Sequence, residues 1–167
     1  GSSGRALATW RREANVERFF VAGMLHDIGQ LIMATVLGEL VRQMIEETQS
    51  KELLYFDVEL KRVGFDHAEA GGALLKDWKI PANIADPVAF HHRPSRAEQF
   101  PLETSLIHIA DIICQAFELG QSCERFVPPL DGAAWDRLGM TPHQLGAVMK
   151  QAEPQIEETF AILTDAA

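Results

Sequence analysis

Ala22-Gly23-Met24-Leu25-His26-Asp27-Ile28-Gly29 sets an imidazole beside a carboxylate inside apolar sequence. The residues that follow repeat at helical spacing. Leu37, Leu40, Val41, Met44 and Ile45 fall at offsets of 0, 3, 4, 7 and 8, which is one stripe of a helix. A buried His–Asp pair carried into a helix predicts a helical scaffold with polar chemistry in its interior.

The same periodicity continues along the chain. Leu74, Leu75 and Trp78 extend a helix that starts near Asp66, a residue suited to capping it, and Pro81 stands where a helix does not readily continue. Ile84 and Val88 share a face with His91 and His92 at the end of a short helix. Leu102, Leu106, Ile109, Ile113 and Phe117 mark a long buried helix, expected to close at Gly120. Thr141-Pro142-His143-Gln144 reads as a helix start with a capping box, and Ile156, Phe160 and Leu163 stripe the last helix. No segment shows sustained period-2 alternation with hairpin turns, and residues 55–60 are too short and charged for a strand. The expected class is all-α. Residues 1–16 are expected to be an N-terminal stub or the remnant of an upstream helix, 17–120 the helical core, and 121–167 a C-terminal helical extension packed on it. Gly1-Ser2-Ser3-Gly4 reads as an added or flexible stub and stays outside the fold argument.

Composition narrows the function. The 167 residues, 47% hydrophobic and 23% charged, suit a single compact domain. Fifteen Lys and Arg against 24 Asp and Glu give a net charge of −9, which repels phosphate backbones and anionic lipid, so neither a nucleic-acid nor a membrane partner is expected. The longest apolar stretches, such as 19–24 and 106–110, fall short of the ~20 residues of a membrane span. Cys114 and Cys123 lack the spacing of a thiolate zinc site or a disulfide framework, and a cytoplasmic location is expected.

Five of the six histidines lie in apolar helical segments, and two stand beside an aspartate, in His26-Asp27 and Asp66-His67. Asp111, set within Ile107-His108-Ile109-Ala110-Asp111-Ile112-Ile113, would lose several kcal/mol to desolvation unless a cation or strong donors met it. A metal is one such partner. Imidazoles and carboxylates without thiolates suit iron, manganese, nickel, cobalt or zinc, whereas calcium and magnesium prefer oxygen alone. In a helical bundle such ligands project inward from different helices, and His26, Asp27, His67, His91, His92 and Asp111 are the candidate set. Structural readings stand beside this one. His91-His92 also suits a helix C-terminus, where imidazoles meet free carbonyls. Asp66 reads as a cap, His108 as a packed or hydrogen-bonded neighbour, His143 as part of a capping sequence, and Glu46-Glu47 as a solvated face. Trp10, Trp78 and Trp135 read as packing anchors.

Taken in order, the His26-Asp27-Ile28-Gly29 segment, Gly64-Phe65-Asp66-His67-Ala68-Glu69-Ala70-Gly71, Trp78-Lys79-Ile80-Pro81, His91-His92-Arg93-Pro94 and His108-Ile109-Ala110-Asp111 resemble the HDOD domain, the HD-related output domain of bacterial signalling proteins. The resemblance spans roughly residues 17–120. It implies an HD-superfamily-like helical bundle, related to metal-dependent phosphohydrolases, that serves in bacterial signal transduction through a protein partner or fused signalling domain. On the superfamily's pattern His26 and Asp27 are ligands, with Asp27 bridging two metals. His67, His91 and His92 would surround one divalent ion and Asp111 would help hold the other, so the implied cofactor is one or two transition metals, vestigial or structural in a signalling domain.

Three positions depart from the hydrolases. No histidine lies upstream of the HD pair in residues 1–21, Gln30 replaces their usual lysine, and Arg93 stands where the HD-GYP cyclic di-GMP phosphodiesterases carry glutamate. That phosphodiesterase activity is therefore not expected, while a phosphohydrolase acting on another phosphoester remains the alternative. A third reading leaves the cluster apo and simply hydrogen-bonded. HDOD domains carry further helices before the HD pair, so the N-terminal helices are expected to be incomplete. The apolar face near Phe19, Phe20 and Met24 would then seek a second copy or another domain.

Overall fold

The computed structural model describes residues 1–117, 126–150 and 154. Its helices are α1 (Ser2–Trp10), α2 (Glu17–Leu25), α3 (Ile28–Lys51), α4 (Tyr55–Val63), α5 (His67–Asp77), α6 (Ala82–Phe90), α7 (Pro101–Ala116) and α8 (Gly132–Leu138), with a 3-10 turn at Pro94–Arg96. A further helical segment, α9, covers residues 142–150. No strand occurs among the described residues, so the chain is all-α. Gly120 and the stripe of Ile156, Phe160 and Leu163 lie outside the described residues.

Local chemistry sets most of the boundaries. The Asp66 carboxylate accepts from the Glu69 N–H and caps α5, which ends at Asp77 ahead of Pro81. Gly64, at φ 88°, closes α4 in the left-handed conformation that only glycine enters without cost. Thr141 and Gln144 bond reciprocally as a capping box at the start of α9, with Thr141 N–H donating to Gln144 Oε1 at 2.9 Å. The segment 55–60, too charged for a strand, is the beginning of α4.

Burial falls into three clusters. Leu7, Ala8, Phe19, Leu106, Ile109, Ile113, Leu138, Met140, Val148 and Met149 join α1, α2, α7, α8 and α9 in one core. The stripe predicted on α3 supplies Val41 and Met44, which pack with Met33, Tyr55 and Val58. Leu75, Ala85 and Val88 join α5 to α6, beside Leu25 and Ile28. The HD pair sits where α2 hands over to α3, between these clusters.

Three expectations change. Residues 2–4 are the first turn of α1 and are buried, with the Gly4 position against Phe19 and Ile107, so the N-terminal tetrapeptide belongs to the fold. As a result Phe19 is buried beneath α1 and the Arg5 guanidinium lies over the Phe20 ring. Of the three residues expected to expose an apolar face, only Met24, 62% exposed, clearly does so. Trp10 and Trp135 do pack on the main core, but Trp78, the C-cap residue of α5, is 57% exposed. By length and composition alone, residues 17–51 include an 18-residue window apolar enough to cross a membrane, with mean hydropathy 1.5. In the fold this stretch is two helices interrupted at His26-Asp27, with a further kink at Gly38.

Candidate metal centre

Helix ends supply five of the six candidate residues, and the body of α7 supplies the sixth, Asp111. His26 follows the last residue of α2, Asp27 precedes α3, His67 opens α5, His91 and His92 follow α6, and Asp111 lies on α7. Two glycines set the approach of these helices. A Cβ on Gly29 would stand 1.9 Å from the His67 carbonyl oxygen, and one on Gly72 would stand 2.4 Å from the Ala89 Cβ. Any larger residue at either site would push α5 away from α3 or α6 and separate the ligand-bearing ends.

Three of the four imidazoles, those of His26, His67 and His91, are oriented by a bond at Nδ1. His26 Nδ1–H donates to the Gly23 carbonyl at 3.0 Å, and His91 Nδ1–H to the Val88 carbonyl at 2.8 Å, so both turn Nε2 toward the interior of the cluster. One nitrogen of His91 thus meets a helix-end carbonyl, as the capping reading has it, and the other faces the cluster. His67 Nδ1 pairs with Glu59 Oε2 at 2.6 Å, and its Nε2 lies 2.8 Å from His92 Nε2. Asp27 stands between the groups: Oδ1 is 3.3 Å from His67 Nε2 and 3.8 Å from His91 Nε2, while Oδ2 is 3.2 Å from His26 Nε2. Asp111 Oδ1 lies 3.4 Å from His26 Nε2. Asp27 occupies the N-cap position of α3 without using its side chain as a cap, whereas Asp66 is spent on its cap and on Arg93.

Among the described residues, two sets of three have ligand atoms within 4.8 Å of one another: His67, His91 and His92, and His26, His91 and Asp111. His91 is fully buried and its Nε2 has no hydrogen-bond partner among the described residues. A fully desolvated nitrogen lone pair aimed at carboxylates and other imidazoles is costly unless something electropositive meets it. The donor set, nitrogen with carboxylate oxygen, fits a divalent transition metal. The buried His/Asp group is thus one that could hold a metal ion.

Protonation follows the same map. Burial opposes charge on His26, yet Asp27 and Asp111 hold it well above the ordinary imidazole value. Burial likewise works against His67, but its bonds to Asp27 and Glu59 carry it up to about 10. Burial, with cationic His26 and His67 nearby, lowers His91 to about 4, and burial beside His91 and His67 holds His92 well below the usual range. Against the cost of burial, His26 and His67 hold Asp27 well below the ordinary carboxylate value, and His26 lowers Asp111. Protonated His26 and His67 thus face Asp27 and Asp111, while His91 and His92 stay neutral, His91 with its Nε2 lone pair directed into the cluster and His92 with Nε2 against His67.

Several other residues take the structural roles read from sequence. His108 donates Nδ1–H to the His91 carbonyl at 2.7 Å and accepts from the Asp131 N–H at 3.0 Å, leaving neither nitrogen for the cluster. His143 is exposed at the start of α9. Glu47, read as part of a solvated face, is pinned among Lys51, Lys61 and Arg62. Sequence reasoning missed Glu59, whose side chain is wholly buried against His67 and lies in the segment set aside as too charged. Its only sequence signal is its place among Tyr55, Phe56 and Val58, all buried.

Comparisons with known proteins bear on the fold and the family. The chain is similar to an HDOD domain protein of unknown function from Geobacter sulfurreducens, with 22% identity and a TM-score of 0.74 over 94% of this chain and 58% of that one. It is also similar to a candidate phosphohydrolase from Shewanella amazonensis SB2B, with 22% identity and a TM-score of 0.60 over 90% of this chain and 61% of that one. The chain therefore spans less than two thirds of each of these structures, and at this identity the likeness is one of fold. No curated protein matches it. The family model for the HDOD domain matches residues 1–94, taking in α1 as well as the HD pair and the paired histidines. By that match over more than half its length, the chain belongs to the HDOD domain family.

Proposed function

We propose that this domain is a cytoplasmic bacterial signal-transduction module that works through protein contacts, either with a separate partner or with a fused signalling domain, and that its His/Asp cluster holds a divalent transition metal in a structural or vestigial role. The observation that carries the reading is the state of the site's basic side chains. Arg93, next to the paired histidines, is committed to Asp66 at 2.7 Å, and Gln30 takes the position where the related hydrolases carry a lysine. Among the described residues the centre thus offers donors that could hold a metal, while the arginine beside it is already taken by Asp66. His67, His91 and His92 would hold one ion, with Asp27 reaching across to the His26 and Asp111 side. When bound, a divalent metal supplies Lewis acidity and charge neutralisation toward an oxygen ligand. Asp27 positions the donors around it, and the wholly buried His91 and Glu59 keep water from the inner side.

A second reading, a metal-dependent hydrolase of a nucleotide or other phosphoester, is favoured by one observation. The Asp27 side chain is 44% exposed although its neighbours His67 and His91 are buried, so the cluster opens toward solvent at its most acidic member. Activity assays separate the two. The chain, loaded in turn with manganese, iron, nickel, cobalt and zinc, is offered nitrophenyl phosphate, its diester and nucleoside phosphates. The signalling reading predicts no metal-dependent turnover in either wild type or Asp27→Ala. Metal-dependent turnover that disappears in Asp27→Ala would replace it with the hydrolase reading, whereas turnover that survives Asp27→Ala would remove this centre from the chemistry.

A further inference from the structure

Helix α4 contributes no candidate ligand, yet one face of it touches the two ligands on one side of the centre. Tyr55 stacks on His67 with ring centroids 5.9 Å apart, and Phe56 stacks on His92 at 4.4 Å and 17°. One turn on, Glu59 directs a single oxygen, Oε2, to two donors of His67: its backbone N–H at 2.9 Å and its Nδ1–H at 2.6 Å. The other oxygen, Oε1, is buried with no hydrogen-bond partner among the described residues.

A wholly buried carboxyl group is expensive, and an apolar side chain of similar size would ordinarily pack as well or better. Capping accounts for only one of its two bonds: Asp66 takes the Glu69 N–H and Glu59 Oε2 the His67 N–H, which leaves the bond to the His67 ring unexplained. What Glu59 adds is orientation. By taking the Nδ1–H it fixes which nitrogen of His67 bears that proton and turns Nε2 toward Asp27 Oδ1 and His92 Nε2. We propose that Glu59 is the positioning residue of the His67–His92 half of the centre, acting through the His67 ring to set how tightly that half binds a divalent metal. The part concerning affinity rests on the metal reading above, and the part concerning ring orientation does not.

The test titrates metal-free wild type, Glu59→Gln and Glu59→Ala with cobalt(II), read by visible absorption, and follows the His67 Nδ1 proton by NMR in the metal-free proteins. Leu138→Ala, a remote core change, controls for general loss of stability. The expected result is a loss of cobalt affinity of about 10- to 100-fold in Glu59→Gln, with a changed absorption spectrum, while Leu138→Ala binds like wild type. The isosteric Gln decides the matter should the Ala variant fail to fold. Wild-type affinity and spectrum in Glu59→Gln would overturn the proposal while leaving the metal site standing. Wild type that binds no cobalt would end the metal reading and with it the affinity part. Ring orientation is then decided by NMR: a His67 Nδ1 proton protected in wild type and lost in the Glu59 variants sustains it, and one unchanged in them overturns it.

Discussion

Gly29 is the residue whose replacement the geometry condemns most directly. A Cβ there would meet the His67 carbonyl at 1.9 Å, a backbone atom that cannot swing aside. Gly29→Ala should cost about 1–3 kcal/mol in urea unfolding and lower metal stoichiometry as well, because α5 carries His67 away from Asp27. Gly146, in α9, has open space around it, and Gly146→Ala should be neutral or stabilising by up to about 1 kcal/mol. Protonation gives a second prediction at this scale. His67 titrates near 6.5 unfolded and about 10 folded, so its contribution to stability is complete below pH 6.5 and is lost as pH rises through 10. Metal-free protein should therefore lose thermal stability between pH 6.5 and about 10, and metal-loaded protein should lose less, since an ion replaces the proton. Melting curves with and without chelator across that range check it; equal slopes would contradict a metal at His67.

The helices were legible where their caps and stripes are local. Asp66, the Thr141–Gln144 box and the Leu37–Ile45 stripe each carry their own signal within one or two turns, and each stands as read. Glu59 and α1 were not legible for a shared reason. The tetrapeptide Gly1–Gly4 looks like a tail until Phe19 and Ile107 pack against it, and Glu59 looks like a surface charge until His67, eight residues away, turns toward it. Both depend on a neighbour that local pattern does not specify. The same holds for α8, whose Leu138 is buried with Leu106 and Ile113 of α7. Arg11, at the end of α1, ties that helix to α8 by donating to the Arg137 and Leu138 carbonyls. Leu138→Ala should cost about 2–5 kcal/mol and lower the midpoint of a single cooperative urea transition. Separate melting of α8 and α9 would show that they do not share the main core.

At the scale of the molecule, three buried clusters surround a polar centre built largely from helix ends. Helix termini bring unpaired carbonyls, which take the Nδ1–H of His26 and His91 and so aim their Nε2 atoms inward. The candidate set was readable as residue types in order, but the handover of Asp27 between His26 on one side and His67 and His91 on the other exists only in three dimensions. The central claim is that this handover is a place for a metal. Elemental analysis of protein purified without chelator, quantifying iron, manganese, nickel, cobalt and zinc per chain in wild type and Asp27→Ala, tests it most directly. The account predicts a stoichiometric transition metal in wild type that is lost in Asp27→Ala; absence of metal from wild type, even after soaking with these ions, would contradict it.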